Sequence, residues 1–379
     1  MSLIILIGST FTHWLSIYGS RPYISLLVVE LGGDNMKVGL VASAYSLVQV
    51  ILALQVSRSI DRFGAKRTII VGNMFLVAGL LWLSSARSLV CVGLCSALLG
   101  IAHVLVMISA QYIATGFSGP ISKEKAVGYY TLGNSAGIFL GPTIGAAMHT
   151  AWGMNKGFLG GCAFAVLSLI IAFFIHEDRR EQQPQAKYSA LDLLKVAEVR
   201  RVLLLSSMVM FSSELTTTYF PVHGQTLGFS LSQIGTVLSV SGMAMMLIRP
   251  FTHYITQHFP MQKVLRCCLI LAGAGIACYG LITGYYTLLM VAAFSGAALG
   301  LLGPLTMIAA TDVVDALYRS KVLALRTMIN FFGQSASPVL FGALSIYFGL
   351  TPVFIIGGTT MAACSLLTRK GGGEQTDKK

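Results

Sequence analysis

The stretch DRFGAKR, residues 61–67, puts four ionic side chains into seven positions between two long apolar runs. Of the 379 residues in the chain, only 11% are charged and 55% are hydrophobic, and the mean hydropathy is +0.76. A soluble domain carries about 25% charged residues. A chain so poor in charge is built for a bilayer, where the backbone must satisfy its own polar groups and does so as spanning helices. In that setting a compact cluster of charge marks a short loop at a membrane surface.

Working outward from that loop, apolar stretches of about 20 residues, long enough to cross a membrane as helices, fall at 3–30, 37–57, 68–86, 89–115, 125–149, 157–176, 201–222, 232–255, 264–283, 286–311, 321–347 and 350–368. The expected fold is an all-α membrane protein with twelve transmembrane helices. Connections are short except for a polar loop at 177–199, which separates an N-terminal bundle, 1–176, from a C-terminal bundle, 200–368, with a tail at 369–379. The first apolar run is too long for a cleavable secretory signal and lacks a cleavage site.

Lys and Arg set the expected orientation. Loops after even-numbered spans hold Arg58, Arg62, Lys66, Arg67, Lys123, Arg179, Arg180, Lys263, Arg266 and Arg319, and the tail adds Arg369 and Lys370. Loops after odd-numbered spans hold Lys37, Arg87 and Lys156. Both termini, the central loop and DRFGAKR are therefore expected in the cytoplasm, with the chain multi-pass in the cell membrane. The net charge of +12 then reflects topology, and no nucleic-acid partner is implied. The seven cysteines show no zinc spacing with His. No metal, no cofactor and no catalytic group is expected. The partners implied are the lipid bilayer, a small-molecule substrate and protons, with the chain acting as a monomer.

Sliding the chain by 196 residues brings its halves into register. Gly39 falls on Gly235, Phe63 on Phe259, Arg67 on Lys263, Gly137 on Gly333 and Pro142 on Pro338. The pattern reads as duplication of a six-helix unit. Secondary transporters are commonly built this way, with their site near the membrane midplane between the repeats.

The segment SRSIDRFGAKR resembles the signature of the major facilitator superfamily between spans 2 and 3, written G-x-x-x-D-R-x-G-R followed by Lys or Arg. Asp61, Arg62, Gly64 and Arg67 match it, and Lys66 supplies a basic residue; Ser57 and Ala65 depart from it. The second copy is degenerate, with Gln257 in place of the Asp. The resemblance implies two six-helix pseudo-repeat bundles and a loop that latches the halves in one state. Gly64 permits a tight turn, Asp61 can face a helix N-terminus, and the basic residues can meet anionic headgroups. GIFLGPTIGA, residues 137–146, is similar to the family's antiporter motif in span 5. Gly137, Gly141 and Gly145 leave a smooth face for close packing, and Pro142 favours a kink. The resemblance associates this motif with exporters that exchange solute for protons. The family's span-4 arginine is absent, with Ser96 in its place.

Charges inside spans are costly and usually functional. One carboxylate, Glu214 in span 7, lies well inside a span. Arg21 lies about ten residues, roughly 15 Å of helix, from the outer loop, and the 196-residue shift sets it opposite Thr217, one turn from Glu214. Burial and a nearby cation act on the carboxylate's charge in opposite directions. Glu214 with Arg21 is thus the proton-coupling candidate, and a static ion pair is the alternative. Arg326, Asn330 and Gln334 form a polar stripe in span 11, able to bind substrate or to join helices. His103 and His13 are candidate proton carriers. Trp14, Tyr18, Phe211 and Tyr219 are candidates for an aromatic cavity wall.

These residues point to a proton-coupled exporter of a drug or metabolite, a metal-chelating metabolite among them, working by alternating access and contributing to multidrug resistance. No GxxxxGK followed by Ser or Thr appears, so ATP is not the expected energy source. An importer of a sugar or organic acid on the same fold is the first alternative. A non-transporting membrane receptor or enzyme is the second.

Overall fold

A computed structural model describes residues 2–117, 122–176, 190–315 and 318–368. The central-loop positions 177–189 and the tail, including Arg179, Arg180, Arg369 and Lys370, lie outside the described residues. The N-terminal half is α1 (Ser2–Glu30), α2 (Asn35–Phe63), α3 (Ala65–Leu83), α4 (Leu89–Thr115), α5 (Lys123–Trp152) and α6 (Met154–Phe173). The C-terminal half is α7 (Ala197–Thr226), α8 (Leu231–Ile248), α9 (Thr252–His258), α10 (Met261–Leu281), α11 (Tyr285–Asp312), α12 (Arg319–Phe348) and α13 (Leu350–Ala363).

These are the twelve expected spans with one amendment. Span 8 is broken: α8 passes into a tight 3₁₀ turn, Arg249–Phe251, before α9. Pro250 has no N–H to continue the α ladder, which explains the break. Asp61 and Arg62 also differ from expectation. They belong to the last turn of α2 rather than to a loop, and the turn is confined to Gly64, whose φ of 89° suits glycine. Its counterpart in the second half is Pro260, at the N-cap of α10.

Nine helical stretches among the described residues are long and apolar enough to cross a membrane by length and composition. α5, α7 and α12 miss that threshold, although they are among the longest helices. They carry the small and polar residues singled out above, so the shortfall marks helices with polar side chains buried inside the protein. Leu47, Ile51, Leu81 and Phe294 are exposed, as expected for a lipid-facing surface.

Within the first half, α1 packs on α5 and α6, and α4 on α2 and α3; within the second, α12 packs on α7, α11 on α8 and α10, and α13 on α10. The halves meet along α2–α12, α5–α8 and α1–α7. Under the 196-residue shift the first two contacts are images of each other. The duplication is therefore expressed as a pseudo-twofold interface.

Candidate functional site

The interface is closest at the end of the bundle away from the termini, here the far end. Gly39 opens α2 against α12, so near that an added Cβ would lie 2.2 Å from the Pro338 carbonyl oxygen and 2.7 Å from the Tyr219 hydroxyl. Gly235 opens α8 against α5 in the same way, 2.6 Å from the Pro142 oxygen and 2.9 Å from the Tyr23 hydroxyl. Each tyrosine holds its proline: Tyr23 donates to the Pro142 carbonyl at 2.6 Å, and Tyr219 to the Pro338 carbonyl at 2.5 Å. Tyr219 also points at the Asn35 carbonyl of the opposite half, 3.2 Å away. Ser43 donates across the seam to the Ser335 carbonyl at 2.7 Å, and Ser239 accepts from Thr143. A tyrosine–proline knob from one half thus seats on a glycine from the other, twice.

Below this seal lies the buried charge. Arg21 on α1 donates through Nη2 to Glu214 Oε1 on α7, with side chains 8% and 4% exposed. Thr218 donates to the same oxygen at 3.1 Å, and Gln334 of α12 donates to Oε2 at 2.8 Å. The Arg21 guanidinium lies over the Tyr45 ring, 4.1 Å from its centre, a cation–π contact. Both carboxylate oxygens therefore have donors, and the pair joins the first helix of each half. A charge this deep survives only with such compensation. A small cavity beside it is lined by Arg21, Ser25, Tyr45, Ser96, Thr217 and Thr218, among others.

The remaining candidates divide. Trp14 stacks on Tyr18 with ring centres 5.5 Å apart and meets His103 edge-on at 4.7 Å. His103 lies 3.4 Å from His13, nitrogen to nitrogen, and His13 in turn is 2.9 Å from Asn73 Oδ1, which also accepts from Ser168 at 3.0 Å. Both histidines are therefore held in a buried polar cluster of the first half. Tyr219 does not line a gap: it is fully buried in the seal, and its hydroxyl binds backbone carbonyls. Phe211 packs on Phe341 inside the second half. Arg326 donates to Thr306 Oγ1 at 2.9 Å and to the Gly303 carbonyl at 3.2 Å, both on α11. Asn330, one turn on, has a buried Oδ1 with no partner.

Gly137, Gly141 and Gly145 press α5 onto α1: added Cβ atoms would meet Trp14, Tyr18 and Gly19 at 2.7, 2.8 and 2.1 Å. Pro142 lies inside the continuous α5, and its carbonyl serves the seal. At the near end Asp61, Arg62 and Arg67 are exposed while Gly64 and Lys66 are half-buried. Arg62 lies over the Phe63 ring. Asp61 does not cap α3, whose N-cap, Gly64, has no side-chain hydrogen bond. No group of three or more His, Cys, Asp or Glu among the described residues is arranged around a metal.

Two features escape a reading of the sequence. Tyr23 is an ordinary aromatic until Pro142 is folded against it. Arg249 lies inside the apolar run at 232–255 and matches no motif. In the fold it reaches from the turn after α8 across the seam to Ser135 of α5, 2.5 Å away.

The sequence profile of the Major Facilitator Superfamily matches residues 6–266 and 202–374. Multidrug resistance protein 2 of Bacillus subtilis (strain 168) is 24% identical over 323 residues, spanning 79% of this chain and 78% of its own length. Among solved structures, a point mutant of the nucleoside transporter NupG superposes with a TM-score of 0.81 at 12% identity, over 97% of this chain and 98% of that one. A D-xylose–proton symporter superposes with a TM-score of 0.80 at 14% identity, over 97% and 96%. At such identities the structural likeness concerns the fold alone.

Proposed function

Given that the chain belongs to the major facilitator superfamily, we propose that it is a proton-coupled exporter of a small organic compound, working by alternating access. The observation that carries this reading is the buried Arg21–Glu214 pair, which ties α1 to α7 across the two halves. A proton on Glu214 removes the charge that holds Arg21 and so loosens the junction about which the halves rock. With Glu214 ionised, the pair supports the conformation closed at the far end. Glu214 protonated from the far side carries its proton inward when the halves rock back, and releases it as the pair re-forms. The antiporter-like segment 137–146 and the likeness to a multidrug resistance protein support export over uptake. On this reading the near end and both termini face the cytoplasm, the far end faces outward, and the protein works as a monomer in the cell membrane.

The test is solute-driven proton movement in proteoliposomes, screened with a panel of fluorescent organic solutes. Wild-type protein is expected to move protons against the direction of the solute. Glu214→Gln is expected to exchange solute without proton movement. Movement of solute and proton in the same direction overturns export, and proton coupling retained by Glu214→Gln overturns the role given to that residue.

A further inference from the structure

We propose that the cavity beside the buried pair holds a water that passes protons from the far side to Glu214; the inference rests on reading Glu214 as the proton-binding group. The argument starts from what could protonate that carboxylate. The ionisable groups about it are Arg21 and Tyr18 of α1 and Tyr45 of α2, while α12 offers the neutral Gln334. Arginine and tyrosine keep their protons well above neutral pH. A proton that reaches Glu214 therefore comes from solvent, although the side chain is only 4% exposed.

The cavity lies on the far side of the pair. α1 and α7 both run from the near end to the far end, so Ser25 stands one turn beyond Arg21, and Thr217 and Thr218 stand one turn beyond Glu214. All three line the cavity beside Arg21. Towards the far end the lining turns apolar. Val38, in the first turn of α2, is part of it and is buried. The next residue is Gly39, which seats on Pro338 in the seal. In this conformation the seal stands between the cavity and the far side, and parting α2 from α12 joins the two.

The lining suits a water. The cavity measures about 20 Å³, and one water needs at least about 10–15 Å³. A helical Ser or Thr can donate to the carbonyl one turn back, as Ser213 does to Val209 at 2.6 Å. The hydroxyls of Ser25 and Thr217 make no such bond and have no other partner among the described residues. Ser96, also in the lining, donates to the Val41 carbonyl at 2.7 Å and can still accept. These residues supply the roughly two to four partners that a buried water takes. Thr218 completes the route, because it lines the cavity and its hydroxyl donates to Glu214 Oε1 at 3.1 Å. A hydronium in the cavity gives a proton to Thr218 Oγ1 as Thr218 gives its own to Oε1. Each transfer breaks one O–H bond and forms another. The water and the threonine end unchanged, and Glu214 ends neutral.

The test is an acid pulse on proteoliposomes holding the full-length protein in one orientation, with protonation of the Glu214 carboxyl followed by time-resolved infrared spectroscopy. The proton is the probe, and each variant is pulsed from the far side and from the near side. Ser25→Ala with Thr217→Val should slow far-side protonation at least about tenfold, since the water loses two hydrogen bonds, and should leave near-side protonation unchanged. Thr218→Val should do the same, whereas Thr217→Ser and Thr218→Ser, which keep the hydroxyl, should match the wild type. If the double variant does not fold, the two single variants are read instead, each with partial slowing. A far-side rate unchanged in the Ala and Val variants, or slowed equally from both sides, overturns the proposal and leaves the role of Glu214 standing. A wild-type protein with no carboxyl signal that Glu214→Gln removes overturns both.

Discussion

Replacing Gly39 with alanine should open the far end. The added methyl carbon would lie 2.2 Å from the Pro338 carbonyl oxygen and 2.7 Å from the Tyr219 hydroxyl, and a real contact needs at least 3.0 Å. The nearest obstacle is backbone inside α12, so α2 and α12 must part by about 0.8 Å at this level, the difference between 2.2 and 3.0 Å. That shift stretches Ser43–Ser335 from 2.7 to about 3.5 Å and Tyr219–Asn35 from 3.2 to about 4.0 Å, past useful hydrogen-bond geometry. Two cross-half bonds at about 1 kcal/mol each give about 2 kcal/mol against the closed form, roughly a 30-fold shift in the conformational equilibrium. Spin labels at Arg87→Cys on the first half and Tyr286→Cys on the second, both exposed at far-end turns, would report the change by pulsed electron resonance in a cysteine-depleted background. Gly39→Ala should add a longer-distance population, and Gly235→Ala, with added-Cβ contacts at 2.6 and 2.9 Å, should do so to a smaller degree. An unchanged distance distribution in a normally stable Gly39→Ala protein would refute the reasoning.

Four further outcomes are expected. Arg21→Gln or Glu214→Gln alone should lower stability by about 3–5 kcal/mol, because a buried charge loses its partner, whereas the double replacement should lose less than the two singles summed; denaturation in detergent measures this. Tyr23→Phe should cost about 1 kcal/mol for one hydrogen bond, and Tyr219→Phe more, since that hydroxyl also faces Asn35 across the seam; melting temperatures separate them. Asn73→Leu should cost about 1–3 kcal/mol, since it strips the shared acceptor from His13 and Ser168, and it should leave the far-end distances unaltered. Asp61→Asn should leave the melting temperature unchanged, because that carboxylate is exposed and meets no partner among the described residues, yet should slow transport if the near-end loop engages in the opposite conformation; a flux assay beside a thermal melt decides.

Much of the fold was legible because a bilayer restricts the options: apolar length specified the spans, and the 196-residue repeat paired Gly39 with Gly235 and Pro142 with Pro338. The same repeat set Arg21 and Glu214 at one depth, and the fold brings them into contact. What escaped depends on tertiary partners. Asp61 was read as a loop residue, since a charged cluster between spans looks the same whether α2 ends before it or runs through it to Phe63. Tyr219 was read as a cavity wall, since an aromatic residue on α7 does not announce which carbonyl its hydroxyl will reach. Arg249 was passed over because it matches no motif, and only packing against α5 shows where its guanidinium goes.

The most direct test of the central claim follows the protonation of Glu214 and the opening of the far end in one titration. Infrared difference spectra of the purified protein would report a protonated carboxyl, and the Arg87–Tyr286 label pair would report the distance. The account predicts that both change together as pH falls and that both changes vanish in Glu214→Gln. Far-end opening that follows pH in Glu214→Gln as it does in the wild type would contradict it.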